Sequence, residues 1–170
     1  ALNIVANARL LNLPDLPPIH IPPCCNDSGL SIGAASLIEQ QKRNTIAQHS
    51  PYLNSIGTDL PQHTPLHQHT IEETARLIAE GQIIGICNGW GEAGPRALGN
   101  RSLIARPDRK SLTERLSQHC KKREWYRPVA PVMRLSAAQT LLKLDIPYEL
   151  SRYMLLEFRV KPEGEALLSG

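Results

Sequence analysis

Residues 83–102 read IIGICNGWGEAGPRALGNRS, an apolar run followed directly by a glycine-rich loop. The run from Ile83 to Cys87 has the length and composition of a strand covered on both faces. The loop holds four glycines between positions 89 and 99, and these allow the backbone to approach a ligand closely. It also carries Arg96 and Arg101, whose guanidinium groups match pairs of phosphate oxygens. Because ligands of α/β proteins gather at the carboxyl ends of strands, this stretch predicts an anion-binding loop.

A second basic group follows in the stretch KKREWYRP at 121–128. The region from 96 to 134 holds eleven Lys and Arg but only three Asp and Glu, so it favours a polyanion or a phosphorylated ligand. We interpret the two basic groups as one phosphate-binding site. For each cation alone, the alternative is a surface ion pair that contributes little. The side chains concerned in the second group are Lys121, Arg123, Trp125, Tyr126 and Arg127.

Composition limits the classes of protein that the chain can belong to. Of its 170 residues, 41 % are hydrophobic and 21 % are charged, which is typical of a globular domain and excludes a disordered chain. The four cysteines form no CxxC pair, which argues against a zinc ribbon or disulfide framework and predicts a reducing, cytoplasmic environment. No apolar run approaches the roughly 20 residues of a membrane span, so no membrane partner is expected. The hydrolase, zincin and Walker motifs GxSxG, HExxH and GxxxxGK[ST] are absent.

Helix and strand patterns alternate along the chain, which predicts the α/β class with a mixed sheet. Thr70 and Glu73 form the pattern of a capping box, and Gly81 marks the end of that helix. The predicted helices are 2–11, 30–42, 70–80, 107–122 and 136–143, and the predicted strands are 19–21, 83–87, 102–105, 129–133 and 153–160.

Spacing also predicts which helical residues are buried. In the third helix Ile71, Ala75 and Ile78 share one face. In the fourth, Leu112, Leu116 and Cys120 do so. These faces are expected to contribute to the core.

Two acidic residues allow both a structural and a functional interpretation. Asp27 precedes the second helix, where a carboxylate is either an N-cap or a contact for a metal or nucleotide. Glu92 lies inside the glycine loop, where it could orient Arg96, hold a cation against phosphates, or make a structural pairing.

Four stretches carry a family resemblance. Residues 94–102, GPRALGNRS, resemble the signature of the carbamoyltransferases typified by nodulation and antibiotic-tailoring enzymes. Residues 121–131, KKREWYRPVAP, resemble that family's second motif, a Lys-x-Arg-Glu followed by Arg-Pro-x-Ala-Pro. The stretches at 1–7 and 26–35 are similar to the ALN...AN and GDAG...GAA stretches of its catalytic domain. A nine-residue match without gaps makes the first resemblance specific.

The resemblance implies a chain that spans a domain junction. Residues 1–45 correspond to the tail of a Kae1-like domain, a member of the actin and hexokinase ATPase fold. Residues 46–62 are a linker. Residues 63–170 correspond to an incomplete YrdC-like domain, a mixed twisted sheet with flanking helices. We therefore expect a fragment that is inactive alone and needs the rest of the same polypeptide, or a partner subunit, to supply the missing Kae1-like segments.

The implied function is ATP-dependent O-carbamoyl transfer. The family forms carbamoyl adenylate from carbamoyl phosphate and ATP, with Mg²⁺, and passes the carbamoyl group to a hydroxyl of a small-molecule or sugar acceptor. By the same resemblance Asp27 is a ligand of a divalent metal such as Fe²⁺, and Asn3 lies near the nucleotide. The implied catalytic residues are Arg96, Lys121 and Arg127, and the implied phosphate and nucleotide contacts are Arg96, Asn100, Arg101, Lys121, Arg123 and Arg127, with Glu92 in the same loop.

The sequence departs from the family at five positions in or near these motifs, Asn26, Trp90, Gly91, Ala93 and Ser117. Trp90 stands where the family usually has Arg, and Ser117 replaces an Asn one turn before Lys121. These departures leave two alternatives open. One is a YrdC-like module that binds RNA or nucleotides by stacking on Trp125 and Tyr126 without transferase activity, although no nucleic-acid partner is expected for the enzyme. The other is a degenerate protein that retains only a partner-binding role.

Overall fold

The computed structural model describes residues 1–43, 50–53, 67–144 and 149–169. The chain divides into two compact units, each assembled from three separated segments. The first unit comprises Ala1–Leu60, Cys87–Arg101 and Ile146–Glu157, and the second comprises Pro61–Ile86, Ser102–Asp145 and Phe158–Gly170. The predicted linker at 46–62 lies outside the described residues, except for 50–53.

The first unit opens with helix α1, Ile4–Leu11, which confirms the helix predicted there. Asn3 caps it, because its Oδ1 accepts a hydrogen bond from the backbone N–H of Ala6 over 3.0 Å. The buried side chain of Asn7 donates through Nδ2 to the carbonyl oxygen of Leu155 over 2.9 Å. Leu155 is itself fully buried, so this bond secures α1 at the centre of the unit.

Helix α2, Gly29–Arg43, confirms the second predicted helix. None of its residues is buried among the described parts of the chain. Leu30, Leu37 and Ile38 are 73, 56 and 53 % exposed. The amphipathic pattern therefore predicted the helix correctly, while the described residues leave its apolar face uncovered.

The strand predicted at 19–21 is wrong, since residues 16–22 are irregular. Prolines stand on both sides of this stretch and supply no N–H for a sheet ladder. Ile21 is nevertheless buried. The apolar pattern thus identified a core residue and not a strand.

The second unit begins with helix α3, Ile71–Ala79. The predicted capping box is confirmed: Thr70 Oγ1 accepts from the Glu73 N–H over 3.1 Å, and Glu73 Oε2 accepts from the Thr70 N–H over 2.9 Å. Gly81 follows the helix with φ of 92°, a conformation that glycine adopts without steric cost. Both ends of α3 therefore follow from local sequence.

The buried face predicted for α3 is wrong in part. Ile71 is 84 % exposed, and Ala75 is also exposed, whereas Ile78 is half-buried. The half-buried positions are Thr74, Leu77 and Ile78. They lie towards the end of the helix, so its first turn projects beyond the surface against which it packs.

Strands β1, Ile84–Cys87, and β2, Arg101–Ile104, form a two-stranded sheet and confirm the two strands predicted beside the loop. Residues of β1 alternate between half-buried and exposed. The prediction of a strand covered on both faces is therefore wrong. Its apolar run reflects β propensity and one packed face.

The fourth predicted helix is divided into α4, Lys110–Glu114, and a π-helix at Arg115–Cys120. Leu112 and Leu116 are buried as predicted, but Cys120 is exposed. A π-helix bonds residues five apart and has a wider turn than an α-helix. Side chains beyond Leu116 are therefore rotated, and Ser117, only 4 % exposed, turns inward instead of Cys120.

The strand predicted at 129–133 is wrong, because residues 127–134 are irregular. Pro128 and Pro131 lack the N–H that a ladder requires. The following helix, predicted to begin at residue 136, begins at Leu135, and Arg134 occupies its N-cap position without a side-chain cap hydrogen bond.

A small antiparallel sheet completes the second unit. Leu142 pairs with Val160, and Lys143 pairs with Arg159. Because the first of these strands offers only two pairing positions, the strand predicted over 153–160 is limited to its last two residues, and 149–153 forms a 3₁₀-helix instead. The elements here are α5, Leu135–Leu141; β3, Leu142–Lys143; β4, Arg159–Val160; and α6, Pro162–Glu165.

The α/β class is confirmed in the form of helices combined with small sheets. In the described ranges the strands form two separate two-stranded sheets and not one mixed sheet. Within those same ranges, no helix combines the length and apolar character that crossing a bilayer requires.

Candidate functional site

The glycine loop between β1 and β2 is closed by the carboxylate of Glu92. Its Oε1 accepts backbone N–H groups from Leu98 at 2.6 Å, Asn100 at 2.7 Å and Arg101 at 3.4 Å. Burial raises the pKa of this carboxyl, but the backbone donors outweigh burial and leave the pKa below its ordinary value. Glu92 is thus an ionised acceptor at neutral pH, and it gives the loop its shape.

Arg101 closes the loop from the other direction. Its Nη1 donates to the carbonyl oxygens of Asn88 at 3.1 Å and Asn100 at 2.9 Å, and its Nη2 donates to that of Gly89 at 3.0 Å. The Asn100 side chain donates through Nδ2 to the Trp90 carbonyl over 2.8 Å. Two of the side chains predicted to contact phosphate therefore hold both ends of the loop together here.

The loop is also fastened to the polar segment at 50–53. The Tyr52 hydroxyl donates to the Leu98 carbonyl over 3.0 Å, and the Ala93 N–H donates to the Pro51 carbonyl over 2.6 Å. Sequence analysis missed these contacts, because Tyr52 lies in a segment without usable periodicity. No local signal points to its partner.

Gly94 brings the loop against the first segment of the chain. Its φ is 114°, and a Cβ placed there would lie 2.8 Å from the Pro23 carbonyl oxygen. The Cys24 thiol donates to the Ala93 carbonyl over 2.9 Å. Burial and then the neighbouring Cys25 raise the pKa of Cys24, so this thiol remains a protonated donor. Glycine is thus required at position 94 because its φ is positive and because the Pro23 carbonyl oxygen leaves no room for a Cβ.

Arg96 lies at the tip of the loop. Its Nη2 donates to the Leu2 carbonyl oxygen over 3.1 Å. Its Nε is buried and has no hydrogen-bond partner in the described part of the chain. A buried donor without an acceptor costs about 1–3 kcal/mol, and a bound anion would supply that acceptor.

The candidate metal ligand Asp27 is exposed and lies just before α2. Its carboxylate makes no hydrogen bond or ion pair to the described residues, so its predicted N-cap role is not observed there. Those residues contain no group of three His, Cys, Asp or Glu arranged to hold a metal.

The second basic group belongs to the second unit. Arg123 donates through Nη2 to the Pro128 carbonyl over 3.2 Å, while its Nε is buried and unpartnered among the described residues. Arg127 Nη1 lies 3.4 Å from Glu124 Oε2. The pKa of Glu124 is lowered, first by its own backbone N–H and then by Arg127. Lys121 is exposed at the end of the π-helix.

The predicted site residues are thus distributed over both units. Among the described residues, each unit contains one arginine, Arg96 or Arg123, whose buried Nε lacks an acceptor. Ser117, which was predicted only as a departure from the family, also carries a buried hydroxyl that has no partner in the part of the chain that the structure describes. The first unit holds Asn3, Asp27, Glu92, Arg96, Asn100 and Arg101, and the second holds Lys121, Arg123 and Arg127.

Known proteins match this chain over ranges that include both basic motifs. A family model described as the carbamoyltransferase C-terminus matches residues 75–170. An uncharacterized protein of Synechocystis is 32 % identical over 96 % of this chain and 29 % of its own length. Nodulation protein NolNO of Sinorhizobium fredii is 33 % identical over 77 % of this chain and 22 % of its own length. The 3'-hydroxymethylcephem-O-carbamoyltransferase of Amycolatopsis lactamdurans is 33 % identical over 79 % and 26 %.

Fold and loop together define an α/β protein with an arginine-bearing glycine loop closed on a carboxylate. The family model covers more than half of the chain, including both basic motifs. The chain belongs to the carbamoyltransferase family. It spans less than a third of the length of each of these three relatives.

Proposed function

We propose that this chain is part of an ATP-dependent O-carbamoyltransferase. The whole protein would form carbamoyl adenylate from carbamoyl phosphate, water and ATP with release of phosphate and pyrophosphate, and would then transfer the carbamoyl group to a hydroxyl of a small-molecule or sugar acceptor with release of AMP. Membership of the family supports the proposal, as does a relative whose name states O-carbamoyl transfer to a hydroxymethyl group.

The observation that carries the proposal is the pair of unsatisfied arginine nitrogens. Arg96 Nε and Arg123 Nε are buried without an acceptor in the described residues, and each belongs to one of the two motifs. Guanidinium groups match phosphate oxygens in geometry and charge. Phosphate oxygens would therefore satisfy donors that the described residues leave unpaired.

The proposed chemistry is mainly electrostatic. Negative charge grows on the phosphates that depart, and Arg96 in the first unit, or Lys121 and Arg127 in the second, would neutralise such charge. Arg101 and Asn100 would present the loop backbone to phosphate groups, and Glu92 would hold that backbone in shape. Bound Mg²⁺ would supply further positive charge between phosphate groups.

The domain assignment is part of the same proposal. Residues 1–45 would close a Kae1-like domain in which Asn3 lies near a nucleotide and Asp27 binds a divalent metal such as Fe²⁺. Residues 63–170 would belong to a YrdC-like domain. The exposed apolar face of α2 is consistent with a chain that needs further segments, from the same polypeptide or a partner subunit, before it can act.

The test is the release of pyrophosphate by the full-length protein. With ATP present, release should require carbamoyl phosphate, and omission of either compound should abolish it. Acceptor-independent release would identify the first half-reaction without knowledge of the acceptor. Release that is indifferent to carbamoyl phosphate would contradict the proposal.

A further inference from the structure

The second basic motif ends in a tight turn with two aromatic residues at its tip. The Arg127 N–H donates to the Glu124 carbonyl over 3.1 Å, which closes a four-residue turn. The same two residues are joined again by their side chains, with Arg127 Nη1 3.4 Å from Glu124 Oε2. Trp125 and Tyr126 therefore occupy the two central positions of a doubly closed turn.

These side chains contradict the usual chemistry of a turn. Gly, Pro, Asn, Asp and Ser dominate central turn positions, because they fit the backbone or bond to it. Here Trp125 is 81 % exposed and Tyr126 is 65 % exposed. Large aromatic side chains stabilise proteins mainly through burial, and these two contribute little burial. Such a local conflict is typical of a functional position.

The geometry of the rings leaves a face open. Their centroids are 5.9 Å apart and their planes meet at 87°, an edge-to-face arrangement. At 81 % exposure, most of the Trp125 indole surface faces solvent. A planar ligand could therefore lie on the indole while Tyr126 supports it from the side.

Positive charge precedes the turn. Lys121 and Lys122 make no ion pair with the described residues, whereas Arg127 is paired with Glu124. Lys122 has a φ of 48°, which is uncommon for a residue other than glycine. Lys122 thus lies between the end of the π-helix and this turn.

We propose that Trp125 and Tyr126 form a stacking platform for the base of the nucleotide substrate, with Lys121 and Lys122 beside it for the phosphates. The inference rests on the proposed function for the identity of that nucleotide. Two adjacent rings suffice for one base, and Phe158 is the only other Phe, Trp or Tyr in the sequence of the second unit. That sequence therefore offers few Phe, Trp or Tyr side chains on which the successive bases of a nucleic-acid strand could stack. This favours a free nucleotide over a polynucleotide.

The experiment compares ATP with tripolyphosphate, which carries similar phosphates and no base. Dissociation constants are measured by calorimetry for the full-length protein and for its Trp125→Ala and Trp125→Phe variants. We expect Trp125→Ala to weaken ATP about tenfold or more, to leave tripolyphosphate unchanged, and to be largely rescued by Trp125→Phe. Ile71→Ala, another exposed apolar residue of the second unit (84 %), should change neither constant.

Equal weakening of both ligands by Trp125→Ala, or of neither, would overturn the platform. The platform for a nucleotide base would also be overturned if a single-stranded oligonucleotide bound the protein more tightly than ATP and lost that affinity in Trp125→Ala. Pyrophosphate release is measured separately on the unmodified protein. If Trp125→Ala selectively weakens ATP binding and the unmodified protein shows no carbamoyl-phosphate-dependent release, the transferase function is rejected and the base site is retained. If release depends on carbamoyl phosphate and Trp125→Ala does not selectively weaken ATP binding, the base site is rejected and the transferase function is retained.

Discussion

The carboxylate oxygen Oε1 of Glu92 accepts a hydrogen bond from the backbone N–H of Asn100 over 2.7 Å. This bond joins the second half of the glycine loop to its first half, eight residues away along the chain. Because the acceptor is ionised, the bond is stronger than a neutral one. The shape of the loop thus depends on one partly buried charge, the carboxylate of Glu92, and this dependence can be tested.

Replacement of that carboxylate should destabilise the loop in a pH-dependent way. We expect Glu92→Gln to lower the free energy of unfolding by about 1–3 kcal/mol at pH 7. The pKa of Glu92 is lowered in the folded protein, so its contribution is complete above the ordinary Glu value and is lost as the pH falls through the folded value. Denaturant unfolding at pH 7 and below pH 4.5 measures this, and the variant should lose less stability on acidification than the parent protein.

Glu157→Gln is the matched control, because Glu157 is exposed and belongs to the same unit. It should follow the parent protein at each pH. Identical acid profiles for Glu92→Gln and the parent protein would contradict the role assigned to Glu92.

Substitutions at two glycines of the loop allow the stability cost of backbone strain to be distinguished from that of a steric contact. Gly94 and Gly99 have nearly equal φ, 114° and 115°. A Cβ at Gly94 would lie 2.8 Å from a carbonyl oxygen, whereas none of the atoms surveyed lies within 4 Å of one at Gly99. We expect Gly99→Ala to cost about 1–3 kcal/mol from strain alone, and Gly94→Ala to cost measurably more. Thermal unfolding of both variants gives the comparison, and an equal loss would show that the Pro23 contact is unimportant.

Removal of phosphate-binding arginines should reduce turnover. We expect Arg96→Ala and Arg127→Ala to lower carbamoyl-phosphate-dependent pyrophosphate release by about 10²-fold or more, since each would remove a charge that stabilises the transition state. Arg76→Ala is the control, because in the described part of the chain Arg76 forms an exposed pair with Glu80 at the end of α3, and such pairs contribute little. Unchanged turnover in Arg127→Ala would remove that residue from the site.

Removal of the buried hydroxyl of Ser117, unlike the preceding changes, is not expected to impair the protein. Ser117 is 4 % exposed and its Oγ has no partner in the described residues. Because a buried hydroxyl without a hydrogen bond is costly, Ser117→Ala should leave stability unchanged or raise it by about 1 kcal/mol. Denaturant unfolding of this variant, beside Leu116→Ala in the same π-helix, measures the difference. The leucine change should cost about 2–5 kcal/mol, and a comparable loss in Ser117→Ala would reveal an unrecognised partner.

Local sequence predicted those elements whose ends depend on neighbouring residues. The capping box of Thr70 and Glu73 and the positive φ of Gly81 determine α3 within a few residues, and both were predicted. Strands β1 and β2 were predicted because turn residues bound short apolar runs. The strands at 19–21 and 129–133 failed, since a strand needs a partner and a donor at each step, and proline removes the donor.

The candidate site likewise has features that the sequence predicted and features that it did not. Its residues were identified from two motifs, and the family that those motifs indicate is confirmed by comparison over residues 75–170. The roles of the individual residues remain predictions. The hydrogen bonds that Glu92, Arg101 and Tyr52 make in the loop were not predictable, because side-chain partners across such distances leave no periodic signal.

Sequence by itself determined the family, the positions of the glycine loop and basic motif, and the helices with strong caps. These properties depend on residue identity and on contacts within a few positions. Tertiary structure alone decided which faces are buried, where the π-helix turns Ser117 inward, and which arginine nitrogens have no acceptor among the residues that the structure describes. Those outcomes depend on the packing of segments far apart along the chain, where burial and hydrogen bonding compete and no short stretch contains the result.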